Sequence, residues 1–367
     1  MKWSLNLGKV AGIKLFVHWT FLLLIGFIVF RSVSIGLDLA QTLWYIFFVL
    51  VVFACVVMHE LGHALTAKRY KIHTRDIILL PIGGLARLEK MPEDPGQELA
   101  IAIAGPLVNI GIAILLYAII AVTAIPFPTE PEAFAAIGAK NFLYMLLFVN
   151  LILAVFNMIP AFPMDGGRVL RALLSYKLPR HKATQFSAGL GKLLSIGFVL
   201  LGLFYNPFLI IIGIFIYLGA QAEADYTQAR SFLQGYKVKD LVMHHYNKLD
   251  SSEPLSKAVE QLLDGQGKDF LITENEIAVG TLSRNEIIQA LSEKETDISV
   301  GSIMNSNIKQ LKSDTSLANM YQEIQQNGVS LMPVMEDGEL IGVLDTENIF
   351  EFIMVKEAEE RKKMSEN

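Results

Sequence analysis

Hydrophobic residues in this chain gather into long runs instead of the short alternating or three-and-four patterns of a soluble domain. About six runs approach the roughly 20 apolar residues of helix needed to cross a bilayer core. They lie near residues 15–34, 43–64, 99–125, 142–159, 186–205 and 208–222, the last two joined by a turn at Asn206-Pro207. Between the second and third runs, residues 77–88 read as two short apolar strands folded about Gly83-Gly84. This segment is too short to span and too apolar to lie free in water. It is expected as a membrane-associated β-hairpin beside the second helix.

The pattern changes at Tyr236, where hydrophobicity falls and an internal repeat begins. Val238-Lys239-Asp240-Leu241-Val242-Met243 and Val300-Gly301-Ser302-Ile303-Met304 each open a unit. Residues 270–280 and 331–342 each read as two strands around a polar turn, followed by helices over 284–291 and 346–353. The expected fold class is a polytopic α-helical membrane protein followed by a soluble α/β tandem pair. Its expected divisions are a membrane core at 1–225, a linker at 226–235, modules at 236–298 and 299–357, and a charged tail at 358–367.

Composition agrees with a membrane class, since 53% of the 367 residues are hydrophobic and only 18% are charged. The formal charge of -5 conceals an uneven distribution. Basic side chains outnumber acidic ones before Tyr236, and acidic ones lead nearly two to one after it. No strongly basic patch suggests direct nucleic-acid binding. Cys55 is the one cysteine, so no internal disulfide forms. The first run lacks an A-x-A cleavage pattern and is expected to be a retained anchor. Lys68, Arg69, Lys71, Arg75, Arg87 and Lys90 follow the second run, and Arg168, Arg171, Lys177, Arg180 and Lys182 follow the fourth. The opposite side offers little beyond Arg31 and Lys140, so the positive-inside rule places both termini and the acidic pair in the cytoplasm.

The chemistry lies where polar residues interrupt the apolar runs. His59-Glu60-Leu61-Gly62-His63 closes the stretch that begins at Trp44. A charged group at bilayer depth costs on the order of 2.5–3.5 kcal/mol on insertion scales, so such residues usually face an interior cavity and carry function. Residues four apart share a helix face, so His59 and His63 can offer two ring nitrogens to one metal with Glu60 beside them. A catalytic zinc takes three protein ligands and keeps a fourth position for water. Asp165 supplies the candidate third ligand, in Asn157-Met158-Ile159-Pro160-Ala161-Phe162-Pro163-Met164-Asp165-Gly166-Gly167. Its prolines break any helix, and broken backbone at membrane depth is tolerated only inside protein or against a watery cavity. Asn157 is a candidate contact for substrate backbone or a developing oxyanion. Glu98 is read as a helix N-terminal charge, and Glu223 and Asp225 as capping the connection to the tail.

Together these segments resemble the site-2 proteases, membrane-embedded zinc metalloproteases. The resemblance rests on the HELGH segment, Gly83-Gly84, Ala104-Gly105-Pro106 with Asn109, and NMIPAFPMDGG; Met164 stands where the family commonly has Leu. It implies one zinc per chain held by His59, His63 and Asp165, with Glu60 as catalytic base and Asn157 as substrate or oxyanion contact. Gly83, Gly84 and Leu85 would hold an unwound substrate strand. The implied substrate is a single-span membrane protein of the anti-sigma-factor or membrane-tethered-regulator class, cleaved within the bilayer of a prokaryotic plasma membrane. The repeated tail resembles a pair of CBS modules, which bind adenine nucleotides in some proteins and only dimerise in others. In nucleotide-binding modules a Ser or Thr after the second strand, and an Asp three residues on, commonly contact ribose and phosphate. Here those places hold Ser283 with Glu286 and Asp345 with Asn348, so neither copy keeps the full pair. Two rival readings remain at this level, a CBS-gated metal or ion transporter and an inactive scaffold.

Overall fold

The computed structural model describes residues 4–81, 83–89, 92–127, 137–265, 267–293, 298–327 and 331–365. Ile82 of the hairpin, Lys90 of the basic group and the last two residues of the tail lie outside them. The chain forms two compact units, Met1–Asp225 and Tyr226–Asn367.

The first unit begins with two strands, β1 (Ser4–Val10) and β2 (Ile13–His18), and a short helix α1 (Phe21–Ser34). This corrects the span expected over residues 15–34. Ala11 and Gly12 both take positive φ (53° and 89°), making a two-residue hairpin turn that pairs Val10 with Ile13. Along β2 the period is two: Ile13 and Leu15 are buried while Lys14 is exposed. Those two side chains pack with Ala64 and Ile77 against the second helix. A short strand and a helix adjoin here, and their combined apolar content mimics one span.

Helix α2 (Leu39–Arg69) starts where Asp38 accepts from the Gln41 amide at 2.7 Å in a capping box, and ends with Lys68 and Arg69 in its last turn. Strands β3 (Thr74–Leu80) and β4 (Gly83–Leu88) follow as the expected hairpin. They complete one sheet in the order β1-β2-β3-β4, in which β2 and β3 run parallel and β4 is an edge. Arg87 and Asp76 pair across the β3–β4 ladder, and the carboxylate holds the guanidinium above its usual range.

The remaining helices of this unit are α3 (Pro95–Thr123), α4 (Phe142–Asn157), α5 (Asp165–Ser175), α6 (Arg180–Phe204) and α7 (Phe208–Phe232). Helix α3 is capped by Asp94, which accepts from the Gln97 amide at 2.8 Å. Among the described residues α2, α3, α6 and α7 are long and apolar enough to cross a membrane, while α1 and α4 are shorter apolar helices. The protein is therefore a polytopic helical membrane protein. The Pro-rich segment 158–164 links α4 to α5 and includes a cis Phe162-Pro163 bond.

The second unit repeats one topology twice. Its first copy comprises β5 (Lys248–Asp250), α8 (Leu255–Leu263), β6 (Asp269–Glu274), β7 (Ile277–Ser283) and α9 (Arg284–Ser292). After a short α10 (Val300–Ile303), the second copy comprises β8 (Leu311–Lys312), α11 (Leu317–Asn327), β9 (Leu331–Glu336), β10 (Glu339–Asp345) and α12 (Thr346–Ser365). Leu249 and Leu311, Phe270 and Met332, Leu282 and Leu344, and Ile287 and Ile349 occupy equivalent core places at one constant separation. Both hairpins turn on two residues of positive φ, Asn275-Glu276 and Asp337-Gly338. Where a linker is expected, α7 stays helical to Phe232, and Ala229 and Leu233 are buried in the core of the second copy.

Candidate metal centre

His59 and His63 lie one turn apart on α2, and Asp165 is the first residue of α5; all three are buried. Their ligand atoms converge. His59 Nε2 and His63 Nε2 are 3.1 Å apart, and Asp165 Oδ2 lies 3.2 and 3.1 Å from them. A tetrahedral ion with ligands at about 2.0–2.1 Å holds its donors about 3.3 Å apart. The three separations fit that spacing.

The hydrogen bonds behind the rings fix which nitrogen carries the proton. His63 Nδ1 meets the Ile101 carbonyl at 2.7 Å, an oxygen that can only accept, so this nitrogen donates. His59 Nδ1 meets Asn109 Oδ1. The orientation of that amide is set by a chain ending on backbone. Asn109 Nδ2 donates to Asn150 Oδ1 at 2.9 Å, and Asn150 Nδ2 donates to the Leu146 carbonyl at 2.8 Å. His59 Nδ1 is therefore also a donor. With both rings neutral, the two Nε2 atoms present lone pairs to each other and to a carboxylate, an arrangement that suits a cation at its centre.

Close approach around this centre depends on three glycines. A methyl at Gly105 would strike the His63 ring and stand 2.7 Å from His59 Nε2. One at Gly166 would strike the Ile159 and Met158 carbonyls, and one at Gly167 would come within 2.6 Å of the Ala161–Phe162 backbone. The first glycine keeps open the space between the histidines, and the other two let the first turn of α5 nest against the Pro-rich segment that follows α4. Asp165 also sits in the first turn of its helix, where the macrodipole favours a negative charge.

Glu60 is half-buried beside the histidines, and β4 crosses directly over it: a methyl at Gly84 would lie 2.6 Å from Glu60 Cγ. Gly83 opens that strand at a φ of 141°, open to glycine alone, and Leu85 is exposed. Asn157 ends α4 with its Nδ2 donating to the Leu153 carbonyl at 2.9 Å, so it stands on the neighbouring element rather than among the three donors. His18 meets Thr20 Oγ1 at 2.8 Å and takes no part in the cluster. Asn150, Ile101 and the pairing of Asn109 with His59 were not read from the sequence as site features. Buried polar residues in otherwise apolar helices are the signal that marks them.

Two family models match this chain: peptidase family M50 over residues 47–127 and 122–198, and the CBS domain over residues 300–355. A zinc metalloprotease of Methanocaldococcus jannaschii is 32% identical over 374 residues, covering 99% of this chain and 100% of that protein. The chain belongs to peptidase family M50. Stage IV sporulation protein FB of Bacillus subtilis is 32% identical over 129 residues, 35% of this chain and 40% of that protein. A solved site-2 protease from M. jannaschii is 39% identical, covers 60% of this chain and 95% of its own, and superposes with a TM-score of 0.45. This M50 member is thus a zinc metalloprotease with membrane-spanning helices, and the second copy of its C-terminal repeat is a CBS domain.

Proposed function

We propose that this M50 member is an intramembrane endopeptidase in which His59, His63 and Asp165 hold one zinc and Glu60 is the general base. The observation that carries this reading is the convergence of His59 Nε2, His63 Nε2 and Asp165 Oδ2 on one point while hydrogen bonds to Asn109 and Ile101 occupy both Nδ1 atoms. Zinc bound there supplies Lewis acidity, polarising a peptide carbonyl and lowering the pKa of a water to about 7. Glu60 takes a proton from the water as its oxygen bonds to the scissile carbonyl carbon. As the C–N bond breaks, Glu60 returns the proton to the leaving amine. Asn157 serves as the amide donor to the developing oxyanion, exchanging its bond to the Leu153 carbonyl for one to substrate.

A transmembrane helix shields its own amides, so the substrate must unwind before attack. The edge strand β4, running from Gly83 and Gly84 past Leu85 with Gly84 over Glu60, suits an extended peptide held by backbone pairing. The substrate class is a single-span membrane protein that tethers or restrains a regulator, such as an anti-sigma factor. The basic residues after α2, and Arg168, Lys177, Arg180 and Lys182 around and after α5, support cytoplasmic termini in a prokaryotic plasma membrane. Arg171 and Arg180 count for less, because both are tied to Glu98 in one ion-pair network.

The CBS pair is read as a dimerising regulatory module instead of a nucleotide sensor. Ser283 spends its hydroxyl and amide on Glu286 at 2.9 and 2.7 Å, and Asp345 caps α12 by accepting from the Glu347 amide at 2.8 Å. Asn348 donates to the Leu241 carbonyl at 2.9 Å. In the first copy the Ser283 hydroxyl is therefore already engaged, and in the second a carboxylate stands where a Ser or Thr is needed, with burial pushing the Asp345 carboxyl above its usual range.

The test is co-expression with single-span regulatory proteins, comparing the native chain with Glu60→Gln. Loss of cleavage with zinc retained is expected. Cleavage undiminished by the substitution refutes the reading, and ion flux independent of Glu60 favours the transporter.

A further inference from the structure

Arg171 is the largest fully buried side chain described in the protein, at 1% exposure, and nothing in the hydrolytic chemistry uses it. Its Nε donates to Glu98 Oε1 at 2.8 Å, its Nη2 meets the same oxygen, and its Nη1 meets Glu223. Arg180 Nη1 reaches the second oxygen of Glu98 at 2.9 Å. The guanidinium also lies over the Phe162 ring, 4.9 Å from its centroid. Two arginines and two glutamates thus form a balanced network, joining the first turn of α3 to α5, α6 and α7.

Its placement relates it to the metal centre. On α3, Glu98, Ile101, Gly105 and Asn109 recur at three- and four-residue steps and so share one face. Ile101 and Asn109 orient the two histidines, and Gly105 leaves the space between them. Glu98 continues that face by one turn and grips the helix that begins with Asp165. Phe162, beneath the guanidinium, lies three residues before Asp165 in the Pro-broken segment. One face of α3 is therefore a common reference for all three donors: two through hydrogen bonds to the rings, the third through α5, the helix that Arg171 ties to Glu98.

We propose that Arg171, clamped by Glu98 and Glu223, is a positioning residue that sets the distance of Asp165 from His59 and His63, and thereby the affinity of the centre for zinc. This rests on the assignment of zinc to those three residues. A partner that hydrogen-bonds a metal ligand is worth about 10–100-fold in metal affinity; Arg171 acts one step further out, through the seating of α5, so a loss near the lower end, about tenfold, is expected for Arg171→Gln. A contribution to folding alone predicts a lower melting temperature, with unchanged zinc affinity in the protein that remains folded.

The experiment measures zinc affinity by chelator competition in the full chain, purified monodisperse in detergent, for native, Arg171→Gln, Asp165→Ala and the double variant. Two residues that act on one property through a shared element are non-additive. Arg171→Gln should weaken zinc binding in the native background and add almost nothing once Asp165 is gone. Equal losses in both backgrounds, or no loss in either, overturn the proposal. If Arg171→Gln does not fold, the pair Glu98→Gln with Arg171→Gln, which leaves no unpaired Glu98 carboxylate, takes its place under the same criteria. Asp165→Ala with native zinc affinity would overturn the metal assignment itself. Weakened binding in Asp165→Ala alone would overturn only the role of Arg171.

Discussion

Gly105→Ala separates the metal centre from the fold because it acts strongly on the first and little on the second. The added carbon would lie 2.6 Å from His63 Cε1 and 2.7 Å from His59 Nε2. Ordinary contact begins near 3.5 Å, so both rings must retreat by roughly 1 Å. Metal sites tolerate shifts of only about 0.2 Å, and zinc affinity should fall by at least ~100-fold. A stabilisation by zinc worth about 2.7 kcal/mol at a hundred times Kd would then largely vanish. In the metal-free protein, alanine gains about 0.8–1.0 kcal/mol over glycine in a helix. Displacing each ring from its rotamer costs about 0.5–1.5 kcal/mol. The metal-free chain should therefore melt close to native. The assay is thermal unfolding in detergent with and without zinc, together with zinc content. Gly111→Ala is the control: it lies on the same helix with open space around it, and should keep the full zinc-dependent shift. A zinc-dependent shift in Gly105→Ala equal to native would refute the placement of a cation between the rings.

Two further outcomes test the substrate edge and the tail. Leu85→Pro removes an amide and fixes φ on β4, so cleavage of a co-expressed substrate should fall by about tenfold or more while zinc content stays native; undiminished cleavage discards the strand edge as the peptide's seat. Calorimetric titration of the full chain with ATP, ADP and AMP should give no binding heat at millimolar concentration, and saturable heat would return the CBS pair to the nucleotide-sensing class.

The donors were legible in the sequence because two of them are local. His59 and His63 need only helical periodicity to meet, and Asp165 betrays itself by prolines and glycines where an apolar helix should continue. The N-terminal strands were not legible, because β2 is six residues long and runs almost directly into α1, so its two-residue alternation is lost within a single apolar window. That omission has a functional cost. Without β1 and β2 the hairpin looks like an isolated insertion, whereas β2 in fact pairs with β3 and packs with it on α2, leaving β4 as the exposed edge over Glu60.

Glu98 shows a different limit. At the first turn of α3 it reads as a carboxylate drawn to the helix dipole, and that local explanation is sufficient. Its partners come from α5 and α6, at Arg171 and Arg180, positions that read as ordinary basic residues of a cytoplasmic connection. Asn109, noted only as part of the resemblance, and Asn150 are the same case, each completing the other across α3 and α4. A buried polar group in an apolar helix can be located from sequence, but its role follows only from the partner that compensates it, and here the partners lie on other helices. The practical sign was present in the spacing. Glu98, Gly105 and Asn109 fall on one face of a helix that otherwise needs only apolar residues, and a membrane span that keeps a charge, a gap and an amide in register is supporting a site.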